Sequence, residues 1–515
     1  MIGPGTFIRG SSTDRLSTRW FGVLALLVLG GVTLVLYLPY GLLQPPSGLH
    51  YIRQTDSLSF ISYFRLHSGT LFEPGTLDLV LAPDNGKAAA EFPIVYWIIA
   101  QLSNLFGSDT GASLRAVSLS FILVGHFSVM MAMFKILGRV WIALGAGVWM
   151  FGSSVVVYYA CNYLPDAAVY GSVLLGWSLV LPSIFKGDLR IGWPTLAAFP
   201  FAGLVKAPAA MHLFAVGAVL VAFGSARTER PHSFRGAMSS LTGVFVGLLL
   251  IIAWHAYAIT YNRLHGSHYF LTWAEPIWRM DATERARTLD LIWRYWWAKY
   301  LHPSTWHALI LLTVFVLVRA RRMTRQVLVL LAALFLGSCA FVLLFFQKLA
   351  DHDYYFLTIV PFVVILIIAG LHALVSIPKL TRWMWLVSLV VWALGLASVD
   401  LARTELARRN VSVMDRFART GELLRDLPDA VAQVELPVEA RIIVLGDSTP
   451  NGGLLVLGRL GWSFPGYPEP AVPDYPALLE AGATHVLTIH PATPPDLDLE
   501  PIEVNADHGF YRIIR

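Results

Sequence analysis

Apolar blocks of about 15 to 25 residues recur along most of this 515-residue chain, separated by short basic clusters. That pattern constrains the fold more than any other feature. A bilayer core takes about 20 apolar residues per helical crossing and leaves each backbone polar group to be satisfied inside its own segment. Only 14% of residues are charged, against about a quarter in soluble domains, and mean hydropathy is +0.61. A water-soluble protein of this size would lack the polar surface to cover itself. The expected fold is a polytopic α-helical membrane protein.

Eleven spans are expected, beginning at Trp20, Ala112, Val140, Ala167, Ile191, Pro208, Ala237, Trp306, Val327, Tyr355 and Trp383. The first follows Arg9, Arg15 and Arg19, as a signal peptide would. Its length suits a full crossing, and Gln44-Pro45-Pro46 follows it rather than a small-residue cleavage site. A retained first helix is expected. Threading the spans from a cytoplasmic N-terminus gives the inner segments more than three times the Lys/Arg density of the outer ones. The long loops 41–111 and 258–305 and the C-terminus are then extracytoplasmic. This requires Phe92–Phe106, only 15 residues long and polar at its end, to lie in the interface instead of crossing.

Composition changes at Asp400, which divides the chain into a membrane domain, 1–400, and a small α/β domain, 401–515. Leu401–Leu427 reads as an amphipathic helical stretch. Arg441–Gly446, Thr484–His490 and Phe510–Ile514 read as buried strands, with helix and turn over Pro476–Ala483. Cys161 and Cys339 are too few for a disulfide framework, and no D-x-D, H-E-x-x-H or glycine-rich phosphate loop points to a metal or a nucleotide sugar. No cofactor is expected. The net charge of +5 lies mostly in short loops, where it sets orientation and is no footprint of nucleic acid.

Ionisable groups beside a membrane are costly, and the expected outer face gathers many. His50, Arg53, Asp56, Asp78, Asp84 and Glu91 lie in its first loop; Asp166, Lys206, Lys348, His352 and Asp353 come from later edges. Cations at headgroup depth can hold a lipid phosphate while a carboxylate accepts a proton.

His50-Tyr-Ile-Arg53-Gln54-Thr55-Asp56 resembles the H-x-x-R-Q-T-D/Q segment of bacterial GT-C glycosyltransferases related to protein O-mannosyltransferases. Glu91-Phe92-Pro93-Ile94-Val95-Tyr96-Trp97, followed by Leu105-Phe106-Gly107, is similar to a segment of that superfamily and of the aminoarabinose transferases. Leu164-Pro165-Asp166, His352 through Phe356, and Asp447-Ser448-Thr449-Pro450-Asn451 look like further segments in the same order. The resemblance implies transfer of a sugar from a polyprenyl phosphate to a hydroxyl on a protein, lipid or glycan, with inversion. It implies Asp56 as the base and Arg53, Glu91, Asp166, Lys206, Lys348, His352 and Asp353 as substrate-binding residues. Relatives carry Lys where this chain has Phe92; Arg53, Lys206 and Lys348 are the available replacements.

Plainer roles stand beside these. Asp56 is also a suitable N-cap for a helix over Ser57–Leu66, Glu91 for the interfacial helix, and Asp166 for the helix after Pro165. His352 and Asp353 also read as an exposed loop end. A transporter or flippase of lipid-linked sugars is the competing function, although transporters usually place charge near midplane on broken helices. The C-terminal module shows no acid–base constellation and is expected to cover the outer cavity or select the acceptor.

Overall fold

A computed structural model describes residues 13–38, 44–67, 69–187, 191–224, 231–269, 274–410, 415–432, 436–465, 473–490, 492 and 495–514. Fifteen helices form the first part: α1 (Thr13–Tyr37), α2 (Tyr51–His67), α3 (Ile94–Phe106), α4 (Thr110–Leu137), α5 (Val140–Phe151), α6 (Ser154–Ala160), α7 (Asp166–Lys186), α8 (Trp193–Val205), α9 (Ala210–Gly224), α10 (Pro231–Leu264), α11 (Ala282–Tyr295), α12 (Pro303–Arg319), α13 (Arg325–Leu344), α14 (Val360–Val375) and α15 (Met384–Arg409). Among the described residues, eight helices are long and apolar enough to cross a membrane. The pair α5 and α6, bent by 70°, makes a ninth candidate, while α3, α8 and the segment Ala207–Ala222 are shorter apolar helices. The protein is a multi-pass membrane protein.

Side-chain size sets the closest helix contact. A Cβ on Gly125 of α4 would stand 2.7 Å from the Gly171 carbonyl oxygen of α7, and one on Gly171 would stand 2.2 Å from that of Phe121. Paired small residues let two backbones touch, which lipid-embedded helices use because tails offer no hydrophobic drive for association. Leu114, Ile122, Val129 and Met133 of α4 and Val173, Leu174, Trp177 and Leu181 of α7 fill the core on either side.

Asp400 is not a break in the backbone. Helix α15 runs through it to Arg409, and the expected helix over Leu401–Leu427 is instead its last turns plus the short helices α16 (Arg419–Leu423) and α17 (Leu427–Val431). A five-stranded sheet follows, with β1 (Ile442–Leu445), β2 (Gly461–Phe464), β3 (His485–Ile489), β4 (Leu499–Val504) and β5 (His508–Ile513) in the order β2-β1-β3-β5-β4. Helix α18 (Gly452–Leu457) connects β1 to parallel β2, and α19 (Tyr475–Glu480) precedes β3. Strands β1, β3 and β5 match the three expected; β2 and β4 were not expected. Residues of β4 alternate between partial and full exposure, so it carries no apolar run to mark it.

The sheet docks on the loop after α2. The Leu79 amide donates to the Gly461 carbonyl at 2.7 Å and the Gly461 amide to the Leu77 carbonyl at 3.1 Å. Leu77 packs with Leu424, Ile442 and Leu454 on one side of the sheet, and Leu79 with Ile443 and Trp462 on the other. Gly461 is flanked by backbone on both sides; a Cβ there would stand 2.0 Å from the Ile442 oxygen.

Candidate active site

Asp56 lies inside α2, five residues past its first residue, so it is not the N-cap of a helix starting at Ser57. Its side chain is 1% exposed. Oδ1 accepts from Asn451 Nδ2 at 2.9 Å and Oδ2 from Arg53 at 3.3 Å. Arg53 precedes it by about one helical turn, the spacing that brings two side chains onto one face. The other guanidinium nitrogen of Arg53 donates to Glu91 Oε1 at 3.3 Å. Burial pushes the Asp56 carboxyl above its usual range, and Arg53 and Asn451 pull the other way.

Glu91 does not cap α3, whose N-cap is Pro93. Its carboxylate accepts from the Tyr96 hydroxyl at 2.7 Å. Burial disfavours its charge, but Lys206, Arg53 and Tyr96 outweigh that and hold it down at about 2. Glu91 is therefore a fixed anion between two cations.

Lys206 arrives through a helix stop. Its amide closes the last bond of α8 onto Ala202 at 2.8 Å, its own backbone is extended, and Pro208 follows, unable to donate an N–H to further helix. The Phe92 amide donates to the Leu204 carbonyl at 3.2 Å, which draws this turn alongside Glu91. The Phe92 ring packs edge-on against Trp254 at 5.0 Å. Lys206 Nζ lies 3.4 Å from Asp166 Oδ2 and 5.3 Å from the Tyr354 ring centre. Asp166 is the first residue of α7, where a carboxylate also meets the positive end of the helix dipole; the N-cap position itself is Pro165.

These groups line one cavity of about 500 Å³. Arg53, Glu91, Asp166, Lys206, Lys348 and His352 all reach its wall, together with Glu275, Tyr354 and Tyr355. Six of the eight residues singled out from sequence thus share one chamber. Lys348 is held by Glu275 at 2.9 Å. His352 is half-buried rather than at an exposed loop end; burial and the surrounding cations depress its pKa to about 3, so it is neutral.

Two of the eight lie elsewhere. Asp56 is absent from the described lining and touches it through Arg53. Asp353 is also buried, and belongs to a second ionic cluster. Its Oδ2 accepts from Arg409 at 2.6 Å, while His50 lies 2.8 Å from Oδ1 and the Tyr159 hydroxyl donates to the same oxygen. That cluster ties the end of α15 to the entrance of α2, so Asp353 is buried rather than at an exposed loop end. Among the described residues no group of three His, Cys, Asp or Glu could hold a metal ion.

No protein-family model matches the sequence, nor does any curated protein. Solved structures are similar in fold. ArnT from Cupriavidus metallidurans in the apo state superposes with a TM-score of 0.59 at 17% identity, covering 97% of this chain and 98% of that one. The chain shares the fold of ArnT. ArnT from the same organism bound to undecaprenyl phosphate gives 0.58 at 15% identity, with 98% of each chain covered. The likeness extends over both the helical part and the C-terminal sheet, since it covers nearly the whole of each chain.

Asn451, Glu275 and Tyr269 were not singled out from the sequence. Glu275 and Tyr269 sit in the long loop 258–305, where one acid and one phenol carry no distinguishing signal. From the sequence Asn451 is only the last residue of the Asp447–Asn451 segment and carries no role of its own, because Asn before an apolar run is usually a cap.

Proposed function

We propose that the chain is a membrane glycosyltransferase. It moves a sugar from a polyprenyl-phosphate donor to an acceptor hydroxyl, with Asp56 as base. The single observation that carries the reading is the cavity in which Arg53, Lys206 and Lys348 stand beside Glu91 and Asp166. Glu275 lines the same cavity, so acids and cations are equal in number, but Arg53 and Lys206 meet their acids only at 3.3 and 3.4 Å and can exchange those long contacts for shorter charge-assisted bonds to a phosphate. The similar ArnT structure bound to undecaprenyl phosphate supports a ligand of that class.

In the proposed reaction Arg53 bonds the donor phosphate and is drawn off Asp56, which frees the carboxylate toward the acceptor. Asp56 takes the hydroxyl proton as the oxygen attacks the anomeric carbon. The bond from that carbon to the phosphate oxygen breaks, and the polyprenyl phosphate leaves with the electron pair. One displacement inverts the anomeric centre. Lys206, brought beside Glu91 by the Phe92–Leu204 backbone bond, offers the cation that Phe92 does not. The orientation with an external C-terminal domain is part of the proposal.

One observation favours a second assignment of the base. Asp166 lines the cavity directly, and its Oδ2 makes no hydrogen bond beyond the 3.4 Å approach of Lys206. Asp56→Asn and Asp166→Asn separate the two.

The direct test is binding of undecaprenyl phosphate to the purified protein in detergent. Saturable binding that weakens in Arg53→Ala and Lys206→Ala supports the donor class. Binding unchanged in both variants contradicts it.

A further inference from the structure

Asn451 stands where a side chain normally caps a helix. It is the residue before α18, yet its side chain makes no capping bond. Two neighbours do that work. Thr449 Oγ1 accepts from the Gly452 amide at 2.8 Å, and Asp447 Oδ2 accepts from the Gly453 amide at 2.7 Å. Asp447 Oδ1 in turn receives the Thr449 amide and hydroxyl, each at 2.8 Å. The turn is complete without Asn451, whose amide is free to point out of the sheet domain.

It points at Asp56. Its Nδ2 lies 2.9 Å from Asp56 Oδ1, while its Oδ1 accepts from the Ser59 hydroxyl at 2.8 Å and the Thr76 hydroxyl at 2.9 Å. Ser59 Oγ also receives the Leu77 amide at 2.8 Å, the first residue of the stretch that pairs with Gly461. An ionised carboxylate only accepts, so the amide face toward Asp56 is its NH₂. Asn451 is 0% exposed and Asp56 1%, so water does not substitute for either partner. Helix α2, the loop at Thr76–Leu79 and the C-terminal sheet therefore meet on one side-chain amide.

We propose that Asn451 is a positioning residue: the C-terminal domain orients the Asp56 carboxylate and tunes its proton affinity through this amide. The proposal rests on Asp56 being the base, and it adds a positioning role to a C-terminal module expected from the sequence to cover the outer cavity or select the acceptor. Asn451 touches no substrate; it acts through Asp56. By occupying Oδ1 it leaves Oδ2 to Arg53 on the cavity side, with Tyr269 as a further hydrogen-bond partner of the carboxyl. It also stabilises the charged form, against burial that disfavours it. The other groups facing Asp56 are Arg53, Glu91, Tyr269 and Asp78.

The test reads Asp56 itself, without a donor. Infrared spectra of the full-length purified protein are recorded across pH, and the protonated-carboxyl band missing from Asp56→Asn is assigned to Asp56. In Asn451→Ala its titration midpoint is expected to rise by about one unit, the size of losing one hydrogen bond to a charged group. Thr76→Val leaves Asn451 in place and removes one donor to its oxygen; a smaller rise is expected there, and it serves if Asn451→Ala does not fold. A midpoint unmoved in the folded variants overturns the proposal. Failure of the base assignment reads differently: Asp56→Asn would then keep turning over substrate, whatever its neighbour does to the band.

Discussion

Lys206 Nζ stands 3.4 Å from Asp166 Oδ2 on the wall of the cavity, an ion pair too long to be a good hydrogen bond. The ammonium, which also faces the Tyr354 ring, is thus placed to exchange its loose partner for a stronger one. Lys348 differs, since Glu275 already holds it at 2.9 Å. Lys206→Ala is expected to weaken undecaprenyl phosphate binding about tenfold or more, the size of one charge-assisted hydrogen bond. Lys348→Ala is expected to cost less. Isothermal titration of both variants checks the order, and equal losses would contradict it.

The second ionic cluster predicts stability rather than binding. Arg409 is 1% exposed and Asp353 lies against it at 2.6 Å, with His50 and Tyr159 satisfying the other oxygen. Removing one partner of such a pair leaves an uncompensated buried charge, at a cost of about 3–5 kcal/mol. Asp353→Ala is therefore expected to lower the melting temperature sharply. A variant that melts like the parent and only binds donor less tightly would return Asp353 to the substrate site.

The pH dependence of turnover follows from two carboxyl groups with opposite shifts. Burial raises Asp56, and a base must be ionised, so kcat/KM is expected to fall as pH drops through that raised value. The acid limb should lie above the ordinary 3.8 of an aspartate. Glu91, held at about 2, stays ionised throughout and contributes no limb. A rate that is flat down to pH 4 would contradict Asp56 as the titrating group.

Orientation is open to chemical labelling. Glu480 is exposed at the end of α19, while Cys161 is buried and Cys339 partly so. Glu480→Cys is expected to react with a membrane-impermeant maleimide added to intact cells. Reaction only after permeabilisation would reverse the topology.

The membrane bundle was legible in sequence because lipid rewards long apolar runs and short loops concentrate basic charge. Apolar composition alone does not give helix length: the expected spans beginning at Ile191 and Pro208 fall on the shorter apolar helices α8 and Ala207–Ala222. The chamber was legible as well: Arg53, Glu91, Asp166, Lys206, Lys348 and His352 were singled out as costly charges beside a membrane, and they share it. Pairing was not. Nothing local shows that Asp353 would pair with Arg409, since they are 56 residues apart and meet only when α15 packs. Asn451 and Asp56 are separated by 395 residues, and the amide reads locally as a cap. That it is no cap depends on Asp447 and Thr449 having taken the role, which is a property of the folded turn.

The central claim is that this chain consumes a polyprenyl-phosphate sugar with Asp56 as base. Mass spectrometry of membrane lipids from cells lacking the chain, and from the same cells carrying the parent or Asp56→Asn, tests it most directly. A polyprenyl-phosphate glycoside should accumulate in the deletion, disappear with the parent, and persist with Asp56→Asn present at normal levels, since losing one general base costs about two to four orders of magnitude. If no such lipid changes, or if Asp56→Asn clears it as well as the parent does, the account is contradicted.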